Sequence, residues 1–481
     1  MSSETNGVHS SRLSRREFLK IAGVTGAAVG AAGSMGGILA ACGSGTASTT
    51  TTAAATSTTG AASSTTAGGT GTTAATTATT ATTVATGPAQ TLKIGVAHPQ
   101  TGDLANFAEA DGYVFDLVKK ATASGLTIAG TTYAVEIVVK DGQSNPSQAA
   151  AVTQQLINED KVDIVVTHGT PVATNPVADT CEAAGVPVIA TLVPWQAFYF
   201  GRGAKANEPS PFKWSFCFCF GAEGLAGAYV PSWPQVPNNK VVAVMWPNDA
   251  DGDAFRTALG PALQQAGYTV VDPGKYDDGT NDFSAQIAQF KKQGCEIYNG
   301  AMTPSDFTTF WRQRAQQGFK PKIAESARTC LFPSQVEALG DLGYNIAGAA
   351  FWAPVFPYKS TLTGMTSQQL ADGYEAATGK QWHMAVGSTM GLFDVATAAW
   401  AASGNPKDKE AVAKAMLSLQ VETPLAKLAW GKGPVANIVI TPFVNGQWIK
   451  GTRKYKFDWV CVDNATDTSI PVAAKLVPYT S

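Results

Sequence analysis

The chain has 481 residues, of which 34 are lysine or arginine and 36 are aspartate or glutamate, and its formal net charge is -2 at pH 7. This balance excludes the strongly basic surface that nucleic-acid binding requires, so no nucleic-acid partner is expected. Beyond the low-complexity N-terminal tract, roughly 390 residues remain, enough for about two or three domains.

The first 41 residues have the features of an export signal. Arg15 and Arg16 stand just before Phe18 in a pattern that resembles the twin-arginine export signal, and a weakly hydrophobic run rich in Gly and Ala follows. Small residues then precede Cys42, as in the lipobox of bacterial lipoproteins, where cleavage leaves a lipidated cysteine. Residues 1–41 are therefore predicted to be a twin-arginine lipoprotein signal peptide. The alternative is a retained transmembrane anchor, and either one places the folded part outside the cytoplasmic membrane.

Residues 42–90 are predicted to be the lipidated cysteine and a disordered tether. The tract after the cysteine consists almost entirely of Thr, Ala, Ser and Gly. Such a composition buries too little apolar surface to offset the entropy of ordering. A flexible tract of this length reaches roughly 35–40 Å, so a folded body can stand off the membrane surface while it stays attached. Whether the threonines carry sugars is left open.

Six cysteines remain once Cys42 is assigned to the lipid. An even number in an oxidising compartment is compatible with disulfides, and their pairing is left open. Cys217 and Cys219 alternate with phenylalanines, so their thiols share one face of a strand. Buried or disulfide-bonded cysteines are the favoured interpretation, and a metal site is the alternative. The six are Cys181, Cys217, Cys219, Cys295, Cys330 and Cys461.

From residue 91 the sequence alternates between short apolar runs and longer amphipathic runs, which indicate strands and helices. The first block has strands at 92–97, 133–140, 162–166 and 187–190 and helices at 105–120, 147–159 and 173–184. The second block has strands at 240–246, 268–271 and 296–298 and helices at 252–266, 283–294 and 303–318. Repeated βα units predict parallel sheets covered by helices on both faces, and two such blocks predict two Rossmann-like α/β lobes. Ligands bind beyond the carboxyl ends of such strands, so the expected site is a cleft between the lobes.

The order of short motifs resembles the solute-binding proteins of ABC importers, specifically the branched-chain amino-acid (leucine-isoleucine-valine) type with the type I periplasmic-binding fold. The resemblance covers nearly all of residues 91–448. It is carried by the Thr101-Gly102 turn, Asp141 with Asn145-Pro146, and the runs 165–170, 185–189, 279–283 and 430–434.

The resemblance implies three crossovers between the lobes, placed near Pro209, Phe332 and Leu425. Residues 91–210 with 332–425 then form lobe 1, and residues 211–331 with 426–481 form lobe 2. The implied function is binding of a small solute by hinge closure and delivery to an ABC permease, by a monomer held on the membrane through its lipid anchor.

The same resemblance points to the loops that follow the strands as the ligand site. The expected ligand-binding residues are Thr170, Pro171, Leu192, Val193, Pro194 and Trp195 in the first lobe, and Trp246, Asp251, Met302, Thr303 and Arg328 in the second.

Amino-acid-binding relatives use small hydroxyl residues for the carboxylate and an acidic residue for the ammonium group, and this chain departs from both patterns. Pro171 and Pro194 lie at or beside the hydroxyl positions, and Arg328 stands near the acidic position. An arginine repels an ammonium group and binds a carboxylate through two hydrogen bonds. The hypothesis is therefore a carboxylated or aromatic solute walled by Trp195, Trp246, Trp352, Phe198 and Tyr199. The alternatives are a structural salt bridge for Arg328 and core packing for the aromatic rings.

Two other classes of function remain as alternatives. A two-lobed sensor that signals to a membrane receptor has the same cleft, and only its membrane partner differs. A lipid-anchored hydrolase needs a nucleophile motif, but Gly387-Ser388-Thr389-Met390-Gly391 has its serine one place too early for G-x-S-x-G. No enzyme activity, cofactor or metal is expected. His168, at the end of a strand, is either a ligand contact or an ordinary hydrogen-bonded histidine.

Overall fold

In the computed structural model of the chain, the described residues are 90–480. The predicted signal peptide, Cys42 and almost all of the tether lie outside the described residues, so those predictions stay predictions.

The strands of the described part alternate with helices over most of its length, as the sequence pattern predicts. The strands are β1 (Gln90–His98), β2 (Leu126–Ile128), β3 (Thr131–Asp141), β4 (Ile164–His168), β5 (Val188–Thr191), β6 (Ser215–Phe218), β7 (Val241–Met245), β8 (Thr269–Val271), β9 (Ile297–Gly300), β10 (Ile323–Ser326), β11 (Ile346–Ala347), β12 (Gln420–Glu422), β13 (Lys427–Ala429), β14 (Ile438–Val439), β15 (Asn445–Lys450) and β16 (Phe457–Asp463).

Most α-helices follow a strand and cover one face of a sheet. They are α1 (Asp111–Ala121), α2 (Pro146–Asn158), α3 (Pro171–Ala184), α4 (Trp195–Tyr199), α5 (Ala222–Ser232), α6 (Ala250–Ala254), α7 (Gly260–Gln265), α8 (Ser284–Lys292), α9 (Pro304–Gln316), α10 (Pro333–Ala338), α11 (Ser367–Thr378), α12 (Ala385–Ser403) and α13 (Lys409–Met416).

Two seven-stranded sheets form the cores of the two lobes. The first has the order β14-β6-β5-β4-β1-β3-β2 and the second the order β16-β15-β11-β10-β9-β7-β8. The central strands pair in parallel, and antiparallel strands are confined to β2 in the first sheet and to β15 and β16 in the second. Central strands such as β4 are buried along their whole length, because helices cover both faces. This confirms the predicted two-lobed α/β fold.

The chain passes between the sheets later than the sequence analysis placed the crossovers. Strand β6 pairs with β5, and β14 pairs with β6, so both strands belong to the first sheet although they lie within the ranges assigned to lobe 2. Strand β11 pairs in the second sheet, and the chain then returns so that α12 packs on β4 and β5. The predicted crossovers near Pro209, Phe332 and Leu425 therefore each precede the observed ones. The sequence gives little indication of the third crossover, because β14 has only two residues and is defined by its pairing with the distant strand β6.

Three phenylalanines, one from each crossover, lie against one another. The ring centroids of Phe220 and Phe443 are 4.0 Å apart, and those of Phe220 and Phe351 are 5.8 Å apart, both pairs stacked. Backbone hydrogen bonds join Ala350 and Val444 beside the stack, at 2.8 and 2.9 Å. The three connections therefore form one packed hinge.

The six cysteines of the described part are all free and buried, so the interpretation as buried thiols holds and no disulfide joins them. Burial raises the pKa of each thiol, to about 11 for Cys295 and about 12 for Cys461, which keeps both in the unreactive protonated form. Among the described helices, none is long and apolar enough to cross a membrane.

Candidate functional site

The eleven predicted ligand-binding residues all follow strands at the carboxyl ends of the two sheets. Those of the first lobe come after β4 and β5, and those of the second come after β7, β9 and β10. Helix α6 of the second lobe contacts α3 and α4 of the first, so the two sets of loops face each other across the cleft.

The loop after β4 turns sharply into α3. Gly169 adopts a φ of 124°, which only glycine tolerates well, and Thr170 is extended before Pro171 opens the helix. Thr170 is 4% exposed, and its hydroxyl makes no capping hydrogen bond to the helix. The loop therefore presents a threonine hydroxyl and the N-terminus of α3 at the edge of the cleft.

The loop after β5 is fixed by a carboxylate that the sequence analysis did not identify. Trp195 Nε1 donates to Glu223 Oε1 at 2.7 Å, and Gln196 Nε2 donates to Glu223 Oε2 at 2.7 Å. Gly221 leaves room for this arrangement, because a Cβ at that position would lie 2.3 Å from Trp195 Nε1. Glu223 is the second residue of α5, just after the first crossover, so these hydrogen bonds connect the loop to the hinge.

Arg328 in the second lobe is already paired with two aspartates. Its Nε donates to Asp251 Oδ2 at 3.1 Å, and its Nη2 contacts both Asp249 and Asp251. Burial lowers the pKa of Arg328, but the two aspartates outweigh that effect and raise it, so the guanidinium stays charged. These contacts match the structural salt bridge that the sequence analysis gave as the alternative to a carboxylate receptor.

Acidic groups outnumber this arginine around the cleft. Burial raises the pKa of Asp251 despite the neighbouring guanidinium, and Asp251 Oδ1 has no hydrogen-bond partner among the described residues. Asp306 is 3% exposed and accepts hydrogen bonds from the Gly279 amide at 3.1 and 3.2 Å, and burial raises its pKa. Two aspartates therefore share one positive charge, and a third lies close by.

Asp278 lies at the accessible edge of the same group. Its pKa is raised to about 6, first by the loss of surrounding water, with Arg328 opposing the shift and Asp249, Asp306 and Asp103 adding to it. Asp103 belongs to the turn after β1 in the first lobe, so the carboxylates influence one another across the cleft. The group of Asp249, Asp251, Asp278, Asp306 and Arg328, called the second-lobe face below, thus contains four acidic side chains and one basic side chain.

The aromatic side chains expected to wall the ligand are core residues. Trp246 Nε1 donates to Asn299 Oδ1 at 3.0 Å, and Trp352 Nε1 donates to Ser367 Oγ at 3.1 Å. Phe198, Tyr199 and Met302 are fully buried as well. Their positions match the core-packing alternative. Nearer the loops, Leu192 has a φ of 63°, Val193 is buried, Pro194 precedes α4, and Thr303 precedes α9.

A shallow cavity lies apart from these strand ends and is lined by Pro354, Val355, Gln368, Asp372, Glu375, Trp382, Arg453 and Trp459. The cleft is the better candidate site, because the converging strand ends and the uncompensated charge occur there and not at this cavity.

Comparisons with known proteins agree with this fold. The family described as periplasmic binding protein matches residues 91–452. An amino acid binding protein from Pseudomonas aeruginosa is 27% identical over 234 residues, which is 48% of this chain and 59% of the relative. The matched part thus spans about three fifths of that relative's length.

Solved structures share the fold at low sequence identity. A leucine binding protein from Thermotoga maritima superposes with a TM-score of 0.64 at 17% identity, covering 78% of this chain and 99% of its own. An ABC-transporter solute binding protein from Rhodopseudomonas palustris, in complex with 3,4-dihydroxybenzoic acid, superposes with a TM-score of 0.62 at 17% identity, covering 79% and 99%. The family match spans most of the chain and the fold agrees, so this chain belongs to the periplasmic binding protein family.

Proposed function

We propose that this protein binds a small amino-acid-like solute outside the cytoplasmic membrane and delivers it to an ABC permease. The observation that carries the choice of solute is the excess of carboxylates around Arg328. Asp249 and Asp251 share this single guanidinium, and Asp278 and Asp306 add further negative charge. A cationic group in the cleft relieves that repulsion, whereas a second carboxylate increases it.

The first lobe offers the complementary chemistry. Thr170 brings a hydroxyl, and the N-terminus of α3 favours a negative group through the helix dipole. A solute with an ammonium group on the second lobe and a carboxylate on the first therefore bridges the cleft. This replaces the hypothesis in which Arg328 binds the carboxylate, and aromatic acids without an amino group become the competing ligands. The leucine-binding and dihydroxybenzoate-bound neighbours represent these two classes.

Binding is proposed to proceed by hinge closure around the stack of Phe220, Phe351 and Phe443. The closed form gains contacts that only a solute touching both lobes provides, and a permease then recognises that form. Small-angle scattering should show a smaller radius of gyration with saturating solute. An unchanged radius contradicts the closure mechanism.

A thermal-shift screen tests the solute class. The panel contains a wide range of amino acids and carboxylic acids, among them leucine, its analogue without the amino group (4-methylpentanoate), and 4-hydroxybenzoate. A ligand at 100 times its dissociation constant adds about 2.7 kcal/mol of stability, which is easily measured. Stabilisation by the amino acid alone supports the proposal. Stabilisation by either acid without an amino group keeps solute binding but overturns the ammonium assignment, and no response across a wide solute panel overturns solute binding.

Membrane attachment is a separate part of the proposal. Lipidation of Cys42 and the tether through residue 90 would hold the protein, as a monomer, on the outer face of the membrane beside its permease. A Cys42→Ser variant should leave the membrane fraction while its folded part keeps solute affinity. Continued membrane retention of this variant contradicts lipid anchoring.

A further inference from the structure

Two histidines end neighbouring strands directly opposite each other in the first lobe. Strands β1 and β4 pair in parallel with Ile94 opposite Ile164 and Val96 opposite Val166. The same register brings His98 and His168 side by side, and His98 Nδ1 lies 3.4 Å from His168 Nε2. The sheet therefore fixes both imidazoles at its carboxyl edge.

A carboxylate completes the group. Asp111 is the first residue of α1, and its Oδ2 lies 3.0 Å from His168 Nε2 and in contact with His98 Nδ1. Thr389 of α12 donates a hydrogen bond to Asp111 Oδ1 at 3.2 Å. His98, Asp111 and His168 are 1%, 2% and 0% exposed. One potential ligand atom from each of the three lies within 4.8 Å of the others.

The buried carboxylate needs a positive charge, and the described lysines and arginines do not provide it. The ion pairs of Asp111 in the described part of the chain are with the two histidines only. An ionised carboxylate removed from water is costly unless a cation is placed beside it. That cation is either a proton held on an imidazole or a metal ion held by all three side chains.

The surroundings leave the facing nitrogens free to act as metal ligands. The outer ring nitrogens, His98 Nε2 and His168 Nδ1, have no hydrogen-bond partner among the described residues. No described neighbour fixes the tautomer, so each ring can carry its proton on the outer nitrogen and offer the lone pair of the inner nitrogen to a metal beside Asp111. Tetrahedral ligands at about 2.0–2.1 Å from zinc lie about 3.4 Å apart. Two of the three ligand separations are close to this value, 3.4 Å between the two histidines and 3.0 Å between His168 and Asp111, and a metal would have to separate His98 from Asp111, which are in direct contact.

We propose that His98 Nδ1, Asp111 and His168 Nε2 bind a divalent transition metal of the zinc class. Two imidazoles and one carboxylate are a ligand set suited to such ions, and the fourth position is left for water or the Thr389 hydroxyl. The metal joins β1, β4, α1 and, through Thr389, α12. Because His168 directly precedes the Gly169–Thr170 loop, a bound metal would stiffen the first-lobe side of the cleft. This site departs from the sequence-based expectation of no metal and does not depend on the proposed solute.

The test uses the full chain, purified without a polyhistidine tag, stripped with a chelator and then titrated with Zn²⁺ or Co²⁺ alone. We expect one ion per chain by elemental analysis, a visible Co²⁺ absorption band typical of four or five ligands, and a rise of several degrees in Tm. Asp111→Asn and His168→Gln should each lower Zn²⁺ affinity at least 100-fold.

His383→Gln is the matched control, because His383 is also buried and its ring nitrogens have no hydrogen-bond partner among the described residues. It should bind Zn²⁺ like the unmodified protein. The unmodified protein decides the question even if a variant fails to fold. If it binds no stoichiometric metal and neither ion shifts its Tm, the group holds a proton instead and the proposal is wrong.

Discussion

The two lobes have similar sheets, but the pKa values of the buried carboxylates at their strand ends shift in opposite directions. In the first lobe, burial raises the pKa of Asp111, but His168 and His98 outweigh that effect and hold the pKa well below its usual range. In the second lobe, burial raises the pKa of Asp251, Arg328 opposes this shift, and the charge of Asp249 adds to it. Asp111 has two imidazoles beside it, whereas Asp249 and Asp251 share one guanidinium. Under the proposed function, this difference assigns recognition of the solute's charge to the second lobe.

The largest effect is expected from removing the one positive charge in the second-lobe group. Arg328→Ala leaves Asp249 and Asp251 without a counter-charge, which should lower the free energy of unfolding by about 3–5 kcal/mol in urea denaturation. The exposed pair of Lys456 and Asp341, 3.3 Å apart, provides the control. Lys456→Ala should cost less than about 1 kcal/mol. Equal small losses for both variants contradict the view that Arg328 holds the group together.

Glu325, another buried acid of the second lobe, should make the stability of the protein depend on pH. Glu325 is fully buried, and burial raises its pKa to about 8 although Asn445 and Trp233 donate hydrogen bonds to it. A raised pKa in the folded state means that stability is greatest below the pKa of the unfolded chain and is lost as pH rises through about 8.

Glu325→Gln should remove this dependence, which amounts to about 2–3 kcal/mol between pH 6 and pH 8.5. Glu337→Gln, at an exposed position, is the control and should keep the pH slope of the unmodified protein. Urea denaturation at both pH values measures the free energy of unfolding of each variant. An unchanged slope in Glu325→Gln means that Glu325 is not the titrating group.

The charge of the second-lobe face is probed by Asp278→Asn. Since Asp278 is exposed to solvent, water screens its effect, and we expect affinity for an ammonium-bearing solute to fall about three- to tenfold. Asp253→Asn is the control, because Asp253 is exposed and contacts Lys275 at 2.6 Å. In the unmodified protein, affinity should also fall as pH drops below about 6, where Asp278 becomes protonated. Calorimetry that shows equal affinities for both variants removes Asp278 from the site.

The smallest predicted effect concerns the hinge that joins the two faces. Phe351→Leu removes one ring from the stack with Phe220 and Phe443, and an aromatic pair contributes about 0.5–1.5 kcal/mol beyond its buried area. Solute affinity should fall about two- to tenfold, although Phe351 belongs to the hinge and is not one of the residues expected to contact the solute. Phe212→Leu, outside the stack, should leave affinity unchanged. The same affinity in both variants means that the stack does not influence closure.

Local sequence patterns were sufficient for most of the fold. The apolar run at 162–166 predicted a buried strand, observed as β4 at Ile164–His168, and Pro171 marks the start of α3. Strand ends also identified the loops that face the cleft. These features depend on neighbours within a few residues, so the amino-acid sequence alone determines them.

The parts that sequence reasoning missed depend on contacts between distant residues. Arg328 was identified, but its pairing with Asp249 requires the register of β7 and β10 around β9. Asp111 gave no signal because its partners, His98 and His168, meet it only after β1 and β4 pair. The late crossovers were missed for the same reason, since β14 is defined by its pairing with β6.

The most direct measurement of the central claim is calorimetric titration of one protein preparation at pH 7 with an amino acid that binds and with the same molecule lacking its amino group. The excess of aspartates on the second-lobe face predicts that loss of the ammonium group weakens binding at least tenfold. Equal or tighter binding of the analogue without the amino group would contradict the assignment of solute charge to that face.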